Sequence, residues 1–238
     1  MTEAAKVNID IKKEVVIMRK MSNIESYYKI YQPEIWVGKE GEDIVYHAYY
    51  YDILKDSYGN PKLNVLKSVQ YREAPYNFEA VYIVNQMFNL QHSYVEYLIQ
   101  VVFDVSYIVR GVFLVGKGNH VEVNVDIKQI IINCILCGGE KFVLIHNHPD
   151  NGDQFSKDDI ESCKLFEELN LTVLDQCGLE YKDDLLITGN DWFTSYKENE
   201  KYHYSIAEKY ASLKTMYKKV EDYIEYPVNE EEEDYIEY

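Results

Sequence analysis

The sequence predicts an α/β protein, a mixed, curved sheet with helices packed on it. Three observations predict this. Apolar runs of strand character recur near 96–104, 107–116, 141–147 and 183–188. Helical patterns stand between and beside them, at 127–137 and 157–169. The run Lys141-Phe142-Val143-Leu144-Ile145 passes through a turn into the second of these helices, so strand, turn and helix follow in the order of an α/β unit.

Taken in order, Met1 to Lys20 can supply a first strand. Tyr46 to Leu54 and Leu63 to Tyr71, rich in Tyr and Val, read as a long β-hairpin about the turn Ser57-Tyr58-Gly59-Asn60-Pro61. After Pro75 the spacing Phe78-Val81-Tyr82-Val84-Asn85-Phe88 predicts a helix leading into the strand at Glu96. The helix 127–137 is expected to lie against the strand that ends at His146. Pro149 stops that strand, Asp150-Asn151-Gly152-Asp153 is a turn, and Ser156 is an N-cap for the helix Lys157 to Leu169. Beyond it, Ile206, Tyr210, Leu213, Tyr217, Val220 and Ile224 fall on one helical face, which suits either a short coiled coil, and hence a homodimer, or packing on the chain's own sheet. The expected organisation is a β-rich N-terminal extension over 1–74, a central α/β domain over 75–200, an amphipathic helix over 201–226 and an acidic disordered tail over 227–238.

A chain of 238 residues with 47% hydrophobic content can bury one full core. It has no run of eighteen apolar residues and no signal-peptide pattern at MTEAAKVNIDIKKE, so a soluble cytoplasmic protein is expected. The net charge of -17 argues against direct nucleic-acid binding, because phosphate contacts need clustered Lys and Arg. Nine Asp or Glu residues and no Lys or Arg lie between Glu221 and Tyr238, where the pentapeptide DYIEY occurs at 222–226 and again at 234–238. That tail reads as a solubilising segment, or else as a short motif that docks on a basic partner or in the protein's own site. Of the four cysteines, Cys134 and Cys137 form a C-x-x-C inside an apolar helical run with no second pair suitably spaced. They read as core residues, and Cys163 and Cys177 as reduced thiols. The 24 tyrosines suit either a partner-binding surface or an ordinary sheet surface.

The stretch His146 to Asp159, HNHPDNGDQFSKDD, is spaced for chemistry. His146 and His148 project to one side of an extended backbone, because side chains alternate with period two. Ten residues after His148, Asp159 lies in the first turn of the following helix and returns a carboxylate to the two imidazoles. Two nitrogens and one oxygen then surround a divalent metal with one position open, as catalytic zinc requires. The simpler alternative has the histidines satisfying polar groups at a strand end, with Asp159 serving the helix dipole.

His146-Asn147-His148-Pro149 followed by Ser156-x-x-Asp159 resembles the JAMM motif of MPN/JAB-domain metalloproteases, and HNHP in particular is similar to the RadC branch. The resemblance runs from about Ala74 to Tyr196, with the strand at Glu96-Tyr97-Leu98, the helix Ile127 to Cys137 and Leu185-Leu186-Ile187-Thr188-Gly189 inside it. It implies an MPN/JAB-like, cytidine-deaminase-like architecture. It also implies zinc held by His146, His148 and Asp159, a hydrogen bond from Ser156 to the catalytic water or the oxyanion, and a strand glutamate as general base. That glutamate is expected on the strand Ile108 to Val115, which contains no carboxylate. The nearest acids are Glu122 and Glu96. Either would replace it only if strand register brought it within about 3 Å of the attacking water, and both otherwise read as solvent-facing charges. Three functions follow: a zinc-dependent peptidase or isopeptidase acting on a protein or peptide, a non-catalytic zinc-binding or scaffold module, and a DNA-repair or mobile-element role of the kind attached to RadC-like proteins.

Overall fold

The computed structural model describes residues 37–40, 43–71, 76–118, 126–150, 152–189 and 192–203. Strands β1 (Val37–Glu40), β2 (Asp43–Lys55) and β3 (Pro61–Tyr71) precede helix α1 (Tyr76–Phe88). Then come β4 (Glu96–Phe103), β5 (Val109–Gly118), α2 (Ile127–Cys137), β6 (Lys141–Asn147), α3 (Lys157–Asn170), the single turn α4 (Val173–Gln176), β7 (Glu180–Thr188), β8 (Trp192–Ser195) and β9 (Glu200–His203). All nine strands join one sheet in the order β1-β2-β5-β4-β6-β7-β8-β9, with β3 paired to β2. The β4–β5 and β4–β6 ladders are antiparallel and β6–β7 is parallel, so the sheet is mixed as the sequence predicts.

Period-two alternation divides the core into two layers. Ile99, Val101 and Phe103 of β4, Val143 and Ile145 of β6, and Leu185 and Ile187 of β7 face α1. Leu98 and Val102 of β4, with Phe142 and Leu144 of β6, face α2 and α3. A sheet covered on both sides explains why its central strands read as continuous apolar runs.

Helix α2 shows how local signals fix an element. Asp126 caps it by accepting from the Lys128 amide at 3.0 Å. Gly138, at φ 69°, ends it in the left-handed region, where glycine carries no Cβ penalty. The next residue approaches β4 so closely that a Cβ on Gly139 would stand 2.1 Å from Val102 Cγ1. The helix lies over β4 and β5, where buried Gln100 donates to the Ile130 carbonyl and accepts from Asn133. The sequence predicts this helix against the strand carrying His146; it packs instead on β4 and β5 and shares one buried cluster with Phe142 and Leu144 of β6.

The hairpin of β2 and β3 matches the sequence expectation. Its turn is held by Asp56, whose Oδ1 accepts from the Tyr58 and Asn60 amides at 2.8 Å each, with Gly59 at φ 84°. It is part of the main sheet, since Tyr50 and Tyr51 pair in parallel with Val112 and Phe113 of β5. Most of the described tyrosines serve the sheet surface and its core: Tyr46 stacks on Tyr71, Tyr50 meets Phe88 edge-on and Tyr51 packs at a tilt on Phe113, whereas Tyr58 and Tyr94 are exposed.

Cys134 and Cys137 are buried, and burial pushes the Cys137 thiol up to about 12. All four cysteines are free thiols, with Cys163 also buried and Cys177 half-buried. Among the described residues no helix is long and apolar enough to cross a membrane. The possible strand within Met1–Lys20, the helical face from Ile206 onward and the repeated DYIEY tail lie outside the described residues.

Candidate metal centre

Three elements converge on the site. Buried β6 brings His146 to its last turn of pleat, the residue after the strand is His148, and the N-terminus of α3 carries Asp159. Ser156 is the N-cap of α3 in a reciprocal capping box: its Oγ accepts from the Asp159 amide at 3.2 Å, and its amide donates to Asp159 Oδ2 at 2.7 Å. The box fixes the Asp159 carboxylate and uses the Ser156 hydroxyl as an acceptor, leaving its hydrogen to be donated.

The loop between the two elements is tied down as well. Asp153 pairs with Lys201 of β9 at 2.7 Å, and its carbonyl accepts from the Thr194 hydroxyl of β8 at 3.3 Å. Phe155 meets the His146 ring edge-on at 5.5 Å and the Tyr196 ring at 5.8 Å, closing one side of the site.

His148 Nε2 lies 3.2 Å from Asp159 Oδ2, and His146 Nε2 lies 3.6 Å from Asp159 Oδ1. One donor atom from each of the three residues falls within 4.8 Å of the others. Donors around a tetrahedral ion with bonds of about 2.0–2.2 Å stand roughly 3.3–3.6 Å apart, and each imidazole lies near that spacing from one of the two Asp159 oxygens. The decisive atom is His146 Nε2, which is buried and without a hydrogen-bond partner. An unsatisfied buried nitrogen is costly, and a cation among these donors would use its lone pair. The residues present fit zinc.

The electrostatics agree. Burial works to lower the pKa of His146, but the Asp159 and Asp184 carboxylates outweigh it and raise it to about 10. Burial works to raise that of Asp159, yet the two imidazoles and the Ser156 side chain hold its carboxyl well below the usual range. Without a metal, the two carboxylates favour the protonated form of His146. Its folded pKa stands above the unfolded value of 6.5, so its contribution to stability is complete below that pH and disappears as pH rises through about 10. A zinc ion must displace that proton. Metal affinity is therefore expected to rise with pH across the neutral range, which a chelator-competition titration at several pH values would measure.

The sequence candidates divide as follows. His146, His148, Asp159 and Ser156 come together, and Glu122 lies outside the described residues. β5 carries no carboxylate and is not the neighbour of β6; β4 stands between them. The β4–β6 ladder ends at the pair Leu98 and His146, and Glu96 lies two residues before Leu98 on the same face of β4. The start of β4 is held there by Asn147, whose Oδ1 accepts from the Tyr97 amide and whose Nδ2 donates to the Val95 carbonyl, both at 3.1 Å.

Asp184 was not among the sequence candidates, although it touches the site: its Oδ1 lies 3.2 Å from His146 Nδ1. A signal for it existed. Asp183 and Asp184 are adjacent acids in the middle of β7, just before its apolar run Leu185-Leu186-Ile187, and a strand covered on both faces has no place for unpartnered carboxylates.

Residues 77–202, more than half of the chain, match the family model of the RadC-like JAB domain. No curated protein matches the chain.

Proposed function

The chain belongs to the RadC-like JAB domain family, and on that premise we propose that it is a zinc-dependent hydrolase of the JAMM type, cleaving a peptide or isopeptide bond in a cytoplasmic protein substrate. The observation that carries the reading is the lone, buried Nε2 of His146 facing the place where His148 and Asp159 also present donors.

His146, His148 and Asp159 would hold the ion, which when bound supplies Lewis acidity that lowers the pKa of water to near 7 and polarises the substrate carbonyl. Glu96 takes the proton from the attacking water as its oxygen adds to the carbonyl carbon. It then gives that proton to the departing amine nitrogen as the C–N bond breaks, so acid and amine are the products. The Ser156 hydroxyl donates to the oxyanion that develops on the carbonyl oxygen. Phe155 covers the His146 ring and keeps bulk water from that side.

Glu96 is preferred as the base because it is a carboxylate on β4, the strand next to β6, two residues from the partner of His146. The lack of a carboxylate on β5 favours a second reading, a zinc-holding module without turnover.

Purified protein is expected to carry one zinc per chain and to hydrolyse isopeptide-linked peptides, with activity lost to a chelator and restored by zinc. Protein that binds no added zinc would overturn both readings, and stoichiometric zinc without hydrolysis would leave the second.

A further inference from the structure

We propose that Asp184 is a positioning residue for the metal centre: a buried carboxylate that holds the His146 ring by Nδ1–H and so commits Nε2 to the metal. The inference rests on the zinc reading above and adds a residue to it.

β7 runs parallel to β6 and pairs Leu144 with Asp184, so the acid stands on the ligand face of the sheet directly beneath His146. Its Oδ1 meets His146 Nδ1 at 3.2 Å, on the side of the ring away from Asp159. Its second oxygen faces the Tyr181 hydroxyl at 3.5 Å, and the Cys163 thiol is a further hydrogen-bonding partner. All three groups are buried, Asp184 4% exposed and Tyr181 and Cys163 both 0%. The tyrosine and the thiol can donate to Asp184 but bring no positive charge. The carboxylate therefore has its ionic partner in His146 alone among these contacts, in surroundings where such an interaction is strong.

Three consequences follow from the geometry. A proton fixed on Nδ1 makes Nε2 the nitrogen with a free lone pair, and Nε2 is the atom found buried without a partner. The negative charge behind the ring raises the basicity of the ligating nitrogen. Asp184 is itself kept from the metal position, because the imidazole stands between them and Tyr181 holds its other oxygen.

The adjacent acid provides the comparison. Asp183 is equally buried but points to the other face, where it accepts from the Ser195 hydroxyl and the Lys197 amide. It has no contact with either imidazole among its hydrogen bonds.

The test measures zinc affinity by chelator competition in the full chain carrying Asp184→Asn, Asp184→Ala or Asp183→Asn. Loss of a carboxylate behind a metal-bound histidine weakens binding by about 10- to 100-fold. Asp184→Asn, which can still accept from Nδ1–H but lacks the charge, is expected near the lower figure and Asp184→Ala near the upper. Asp183→Asn is expected to lower the thermal midpoint while leaving zinc affinity within about twofold. Nitrogen-15 spectra of the zinc-loaded wild-type protein give a readout that needs no variant, and they should show His146 with an exchange-protected proton on Nδ1. Folded Asp184 variants with wild-type zinc affinity, or a His146 that carries its proton on Nε2, would overturn the inference while leaving the metal centre standing. A wild-type protein that takes up no zinc would remove both.

Discussion

His148→Ala is expected to give folded protein that no longer retains zinc. Binding free energies of about 10–16 kcal/mol spread over four ligands give roughly 2.5–4 kcal/mol for each, a loss of roughly 100- to 1,000-fold in affinity. His148 is the better imidazole to remove, because its side chain is 16% exposed against 5% for His146, and its described hydrogen bond is to Asp159 alone. His146→Ala would also remove a buried ring packed on Phe155 and paired with Asp184, mixing a folding defect into the result. Metal content by mass spectrometry, with a thermal melt of the metal-free protein as control, decides the matter. Full zinc occupancy in His148→Ala would remove this imidazole, and with it the three-donor centre, from the account.

Glu96→Gln should keep its zinc and lose turnover. The amide fills the same space and neither accepts nor returns a proton at neutral pH, so the expected fall in kcat is ~10²- to 10⁴-fold. Little change is expected in KM, since Glu96 is assigned to the proton and not to holding the substrate. A Glu96→Gln protein that turns over at the wild-type rate would move the base elsewhere, with Glu122 as the next residue to replace. Together the two substitutions separate the centre from its chemistry: the first empties the site, whereas the second leaves it filled and idle.

The parts of the site that were legible in the sequence are those written locally. The two histidines alternate on one strand, and Asp159 stands three residues after its own N-cap, so backbone geometry alone nearly determines where these side chains go. The same holds for α2, where the helical run, the cap and the terminating glycine all act within a few residues, and for the hairpin turn at Asp56. Cys134 and Cys137 were legible as core because no second ligand pair accompanied them, and both are buried and free.

What was not legible depends on which strands are neighbours. Counting back from His146 led to the strand around Ile108–Val115, whereas the strand beside β6 is β4, a placement set by the order of the sheet and not by separation along the chain. Asp184 escaped for the same reason: its partner lies 38 residues away and is reached only through the β6–β7 pairing. Strands β8 and β9 are four residues each, too short for alternation to show itself, and they are recognisable only by the ladder they complete.

The tether between Asp153 and Lys201 bears on where this domain can be shortened. A cut placed after Ser195, at the end of the last strand lying directly beside β7, would keep every ligand and the whole apolar interior of the central strands, yet it would discard the anchor that restrains the segment joining His148 to Asp159. A fragment that keeps this restraint therefore extends through β9, although β9 carries none of the three candidate ligands.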